Sequence, residues 1–341
     1  MPDETAVIRS LGWGVFTPRI LPDGMEARSV RIEERTDAGL HLPSAELERL
    51  ERYPFYERVW SPTLTSIINN RFDVIVTSFY HAPYTSAVHR FEGMLIARAF
   101  GREGTSNYHG LLSTWNEAGL DLATVRMGQR FIFGQAYKWL AEVEPPLFAT
   151  RAVTLPVPLP GWVRPAKDSW IGGDRQALFF CPVITGNPYY KAVYQSIKAD
   201  FGDLPHFIFG KQAGPIDDAC VLPELEDGDL RDLYVQSRVF VYPSQETRHL
   251  HYAPLEAMVV GTPVLYRRGS MLDREAGTAL PGACADPKEM HGKAFALIAG
   301  DKALAASIRA AQQRILGNFS DKALHAAWRA VLEQVPVRAS L

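Results

Sequence analysis

The sequence predicts an α/β protein built on parallel sheets with helices on both faces. Three observations carry this reading. From residue 177 onward, short apolar runs alternate with helix-length stretches at the spacing of βαβ units. The strand candidates are continuous apolar runs, as strands covered on both faces are. The chain has 341 residues, 47% of them hydrophobic, enough for two domains that each bury a core.

In chain order, residues 1–70 hold two strand candidates, AVIRSLGWGVF and ARSVRIEER, punctuated by Pro18, Pro22, Pro43, Pro54 and Pro62. SAELERLERY (44–53) reads as a short helix capped by Ser44, with Glu46 and Glu48 near its positive end. Residues 73–77, DVIVT, form the first clear strand. Residues 85–100 and 121–142 read as helices, the first stopped by Gly101. The Pro-rich passage 156–165 reads as a linker. Beyond it come strands at 177–184, 206–210, 238–244 and 262–267, and helices at 189–202, 229–237 and 254–260. The last of these has Pro254 at its first position and Gly261 just past its end. Two amphipathic helices, 301–319 and 321–335, close the chain. The expected division is 1–155, 156–320 and a C-terminal helix in 321–341.

Several function classes are excluded. Lys plus Arg number 36 against 38 Asp plus Glu, a net charge of −2, so the chain is no general nucleic-acid binder. Three scattered cysteines, Cys181, Cys220 and Cys284, make neither a disulfide framework nor a zinc cluster. The first domain has no G-x-G-x-x-G near its start, and LGWG at 11–14 is a poor substitute, so no NAD or flavin cofactor is expected. P-loop and G-x-S-x-G signatures are missing too. The start MPDETAVIRS is no secretory signal, and no apolar run approaches the ~18 residues of a membrane span. A cytoplasmic location is expected, with contact at the inner face of a membrane as a minor reading of the helix at 121–142, through Arg126, Arg130 and Trp139.

The segment DLRDLYVQSRVFVYPSQETRHLHYAPLEAMVVGTPVLYR (229–267) resembles the donor-sugar domain of retaining GT-B glycosyltransferases, especially family 4. The matching features are Leu230 to Tyr234, Val239 to Ser244, and Glu256-Ala-Met258 with Gly261, Pro263 and Val264. The resemblance implies two Rossmann-like domains whose parallel sheets face a central cleft. It implies sugar transfer, with retention, from a nucleotide-sugar donor to a glycan or lipid-linked acceptor, without a cofactor or required metal. Two departures stand out. The family separates its two glutamates by seven residues, whereas Glu246 and Glu256 have nine between them, and Arg248 stands eight before Glu256. The usual diphosphate pair is an arginine and a lysine; Lys191 supplies the lysine, but residues 181–190 hold no arginine. Lys211, after Gly210, and Arg248 are the candidate replacements. A single-phosphate donor, a CMP-linked ulosonic acid of the Kdo type, asks for fewer cations and is one alternative; a non-catalytic sugar- or nucleotide-binding relative is the other.

The loop from Gln245 to Tyr252 packs Glu246, Arg248, His249, His251 and Tyr252 into eight residues after a buried strand, where loops carry function. Two alternating histidines without a spaced acidic partner do not suggest a metal site. Ser244 and Leu255 flank the same region. By resemblance, Glu246, Lys191 and His109 are expected in catalysis and Glu256 on the ribose hydroxyls. His81 is the rival of His109, and Asn107 is expected to orient one of the two.

Overall fold

The computed structural model describes residues 2–20, 40, 42–102, 104 and 106–336; the strand candidate at 27–35 and Pro22 lie outside them. The chain divides into two compact units, Met1–Pro158 with Asp321–Leu341, and Leu159–Ser320.

The first unit opens with α1 (Pro2–Ser10), α2 (Ser44–Glu51) and α3 (Pro62–Arg71). It continues with β1 (Val74–Ser78), α4 (His81–Arg90), β2 (Met94–Ala99), α5 (Tyr108–Ser113) and α6 (Leu120–Met127). Then come β3 (Phe131–Gln135), α7 (Pro146–Ala149) and β4 (Ala152–Thr154). The sheet order is β1-β2-β3-β4, all parallel.

Several expectations are corrected here. Residues of AVIRSLGWGVF form a helix, because Val7 and Ile8 meet one face of the sheet from a helical turn. The helix expected at 85–100 ends at Arg90, and MLIARA is a central strand buried at every position. Met, Leu, Ala and Arg favour helices locally, but pairing on both sides outweighs a propensity worth tenths of a kcal/mol per residue. Likewise the helix expected at 121–142 stops at Met127, and FIFGQ is the other fully buried strand. Ser44 does not cap α2; Pro43 holds the cap position without a side-chain bond, and Arg71 grips Glu46 instead (2.7 Å).

The face of this sheet that meets α1 is also covered by a helix from the end of the chain, α14 (Asp321–Leu332). Leu324, Trp328 and Val331 join Val7, Ile8, Met94, Ile96, Ile132 and Leu155 in one cluster. Within it, the guanidinium of Arg98 is buried, paired with Glu4, bonded to the Gly134 carbonyl (2.6 Å) and laid over the Trp328 ring (5.8 Å). A side chain on Gly134 would press on Arg98 Cδ at 3.3 Å and Ile96 at 3.0 Å, so glycine makes the room.

The second unit holds β5 (Asp174–Phe180), α8 (Pro188–Phe201), β6 (His206–Phe209), α9 (Asp227–Gln236), β7 (Ser237–Tyr242), α10 (Tyr252–Val260) and β8 (Val264–Arg267). It ends with α11 (Met271–Ala276), β9 (Ala283–Cys284), α12 (Pro287–Ala299) and α13 (Lys302–Gly317). The order is β6-β5-β7-β8-β9, all parallel. The chain leaves β5 toward β6 and then crosses back to β7, so the winding reverses between β5 and β7, where doubly wound sheets place ligands. Residues 161–166, overlapping the end of the expected linker, form a 3-10 helix with Val163 and Ala166 buried in this unit. Gly261 ends α10 at φ 94°, a left-handed position that glycine occupies without strain.

Candidate functional site

The site is assembled from three chain segments at the carboxyl ends of β5, β6 and β7. After β5, residues 181–187 turn into α8, whose first turn is capped by the Asn187 side chain accepting the Tyr189 N–H (2.9 Å). Val183 in this turn has φ 49°, a conformation that a β-branched residue adopts only under strain. Gln212, just past β6, holds the turn in place. Its amide nitrogen donates to the carbonyls of Cys181 and Gly210 (both 2.9 Å), and its oxygen accepts the Ile184 N–H (2.9 Å). Gly210, at φ 136°, allows this approach; a Cβ there would meet the Pro182 backbone at 3.0 Å. Burial pushes the Cys181 thiol up to about 12, so it stays protonated beneath the turn.

The third segment, residues 243–251, is tied to α11: Met271 N–H donates to the Glu246 carbonyl (2.7 Å) and Arg274 to that of Thr247 (3.3 Å). Its last residue, His251, is the N-cap of α10 and the centre of a compact polar cluster. His251 Nε2 lies 2.9 Å from the Tyr190 hydroxyl on α8, and Nδ1 lies 2.9 Å from the Tyr242 hydroxyl at the end of β7. His249 Nε2 approaches His251 Nε2 at 3.3 Å, and the Phe180 ring packs at 4.8 Å between centroids. Burial, and then the neighbouring His249, push the His251 ring down to about 3, so it is neutral at physiological pH.

The remaining candidates fall as follows. Lys191 is exposed in α8, four residues after the cap. Lys211 is exposed and stands 3.7 Å from Glu224. Ser244 accepts the Glu246 N–H (3.3 Å), while Arg248 and Tyr252 are half-buried at the loop's end. Leu255 is wholly buried in the core. The helix starts at Tyr252, not Pro254, which corrects the expected register: Pro254 is third and Glu256 falls in the second turn. Proline costs little there because first-turn N–H groups have no helical acceptor. Glu256 is only 8% exposed and accepts the Tyr234 hydroxyl at 2.9 Å. Burial and this carboxylate hold Tyr234 well above its ordinary pKa, so its hydroxyl remains a donor.

In the first unit, His109 pairs with Asp121 (3.0 Å) and His81, opening α4 just after β1, pairs with Glu117 (3.0 Å). Asn107 orients neither histidine. It caps α5, accepting from Gly110 N–H (2.7 Å) and donating to the Val143 carbonyl (2.9 Å).

Reading the chain alone misses Gln212, Tyr190, Tyr242, Asp121 and Glu117. The Asn187-Pro188 start signal places Tyr190 in the first turn of a helix, but nothing local points its hydroxyl at a histidine 61 residues away. Among the described residues, no group of three or more His, Cys, Asp or Glu side chains is placed to hold a metal ion. Among them also, no helix is long and apolar enough to cross a membrane.

Residues 210–314, from the end of β6 into α13, match the family described as Glycosyl transferases group 1. Among curated proteins no sequence matches the chain. Solved structures share the fold. HepE of Anabaena, in complex with UDP and glucose, superposes with a TM-score of 0.54 at 10% identity, covering 80% of each chain. A glycosyltransferase of Rickettsia africae gives 0.53 at 12% identity, covering 81% of this chain and 80% of that one. A trehalose-6-phosphate synthase gives 0.55 at 8% identity, covering 81% and 78%. The fold is GT-B, with two parallel sheets of Rossmann type.

Proposed function

We propose that the protein is a glycosyltransferase that binds a nucleotide-sugar donor in its second unit and transfers the sugar, with retention, to a glycan or lipid-linked acceptor. The observation that carries the reading is the set of polar loops at the β5/β7 reversal, inside or beside the segment matching Glycosyl transferases group 1. The N-termini of α8 and α10 open from those loops, and their positive dipole ends suit a phosphate group. Lys191 supplies mobile positive charge beside the departing phosphate, with Arg248 and Lys211 in place of the missing arginine. Negative charge on that leaving group is larger in the transition state than in the bound donor, so the cations act mainly on turnover. Glu246 and Glu256 serve the donor sugar and the ribose. His109, held by Asp121, serves the acceptor, with His81 and Glu117 as the matching pair after β1. UDP is the first nucleotide to try, because HepE binds it.

Residues 181–190 offer no arginine, which favours a second reading, a CMP-linked donor whose single phosphate needs less charge. Donor hydrolysis and thermal stabilisation across UDP-, GDP-, ADP- and CMP-sugars, with the free nucleotides, test both. Turnover of a diphosphate donor supports the first reading, and turnover of CMP donors alone supports the second. Stabilisation by a nucleotide with no turnover of any donor, even with acceptor present, refutes the enzyme and leaves a binding module.

A further inference from the structure

Three elements meet at one side chain, and two of them, α8 and α10, bear candidate donor ligands. His251 caps α10, Tyr242 ends β7 and Tyr190 lies in the first turn of α8, next to Lys191. Both ring nitrogens of His251 are engaged at 2.9 Å, each by a tyrosyl hydroxyl from a different element. A neutral imidazole has one donor and one acceptor nitrogen, so one tyrosine donates to His251 and the other accepts from it. The ring thus fixes the hydrogen-bonding sense of both hydroxyls. His249 meets the same Nε2 at 3.3 Å, which couples its ring to the position of Tyr190. The Tyr242 hydroxyl also accepts the His251 main-chain N–H (3.3 Å), locking ring and cap together.

We propose that His251 is a positioning residue of the donor site: it does not touch the sugar, but ties the start of α8 to the start of α10 and so sets where Lys191 meets the donor's phosphates. This rests on the glycosyltransferase reading above. It separates His251 from Arg248 and His249, with which sequence proximity groups it.

The two tethers can be cut separately. Glutamine at 251 presents its polar group near the place of Nε2 and keeps the link to Tyr190; asparagine presents it near Nδ1 and keeps only the link to Tyr242. Binding of UDP, GDP, ADP and CMP, each against its bare nucleoside, is measured by calorimetry on the full chain. The variants are His251→Gln, His251→Asn and Tyr190→Phe, with folding checked by circular dichroism. Tyr190→Phe and His251→Asn are expected to weaken the preferred nucleotide roughly tenfold, the equivalent of one lost hydrogen bond, with the nucleoside unchanged. His251→Gln is expected to restore most of that loss. Equal weakening of nucleotide and nucleoside, or a folded Tyr190→Phe protein that binds the nucleotide as the parent does, overturns the proposal. If the parent binds none of the four nucleotides, the glycosyltransferase reading fails and the positioning role falls with it.

Discussion

Replacing Gln212 by alanine removes three hydrogen bonds at once. Its amide nitrogen donates to the carbonyls of Cys181 and Gly210, and its oxygen accepts the Ile184 N–H, all at 2.9 Å. A net ~1 kcal/mol per bond sets an upper figure of about 3 kcal/mol. Gln212 is half-buried and water can reach part of the gap, so the expected loss is about 2 kcal/mol. For a unit of this size that lowers the melting temperature by roughly 4–8 °C. Gln212→Glu sharpens the test: the carboxylate still accepts from Ile184, but now opposes two carbonyl oxygens where an NH2 group stood. It should melt lower than the alanine variant at pH 8 and recover as acid protonates it. Thermal unfolding by circular dichroism at pH 5 and pH 8 reads both. An alanine variant within about 0.5 kcal/mol of the parent, inside the range of ordinary surface changes, would refute the bracing role.

Other expectations follow from the same geometry. Arg98→Met or Glu4→Gln alone should destabilise the first unit by about 3–5 kcal/mol, because each strands a buried charge, while Arg98→Met with Glu4→Leu should cost less than either in a denaturant titration. Lys191→Ala should lower turnover by an amount equivalent to ~2–4 kcal/mol and leave nucleoside affinity unchanged; equal rates would remove Lys191 from the mechanism. The folded His251 ring titrates at about 3, below its unfolded value, so only the unfolded chain gains that proton as pH falls below about 6.5. Stability should therefore drop between pH 6.5 and 3 by at most about 1.4 kcal/mol per unit from this group, and His251→Phe should flatten that part of the urea-midpoint profile.

Four strands of the second sheet were legible in the sequence because they are short apolar runs set between clear stop signals, and PLEAMVVGTPV marks a helix and the following strand with proline and glycine; the two-residue β9 offers no such run and was missed. The loop before that helix was legible as a loop, because polar and ionisable residues follow the buried strand, but not the place that one of them, His251, takes among Tyr190, Tyr242 and Phe180. What local pattern misrepresented was the first unit. MLIARA and FIFGQ are buried on both faces, so they show no alternation, and their residues suit a helix as well as a strand. Only pairing with each other and with neighbouring strands selects the extended form. The closing of that sheet by α14, the buried Arg98 opposite Gly134, and Tyr190 on His251 join residues tens to hundreds of positions apart. Side-chain periodicity reports which face an element buries. It carries no information on which distant element covers that face, because that choice is made by shape and hydrogen-bond complementarity once the chain has folded.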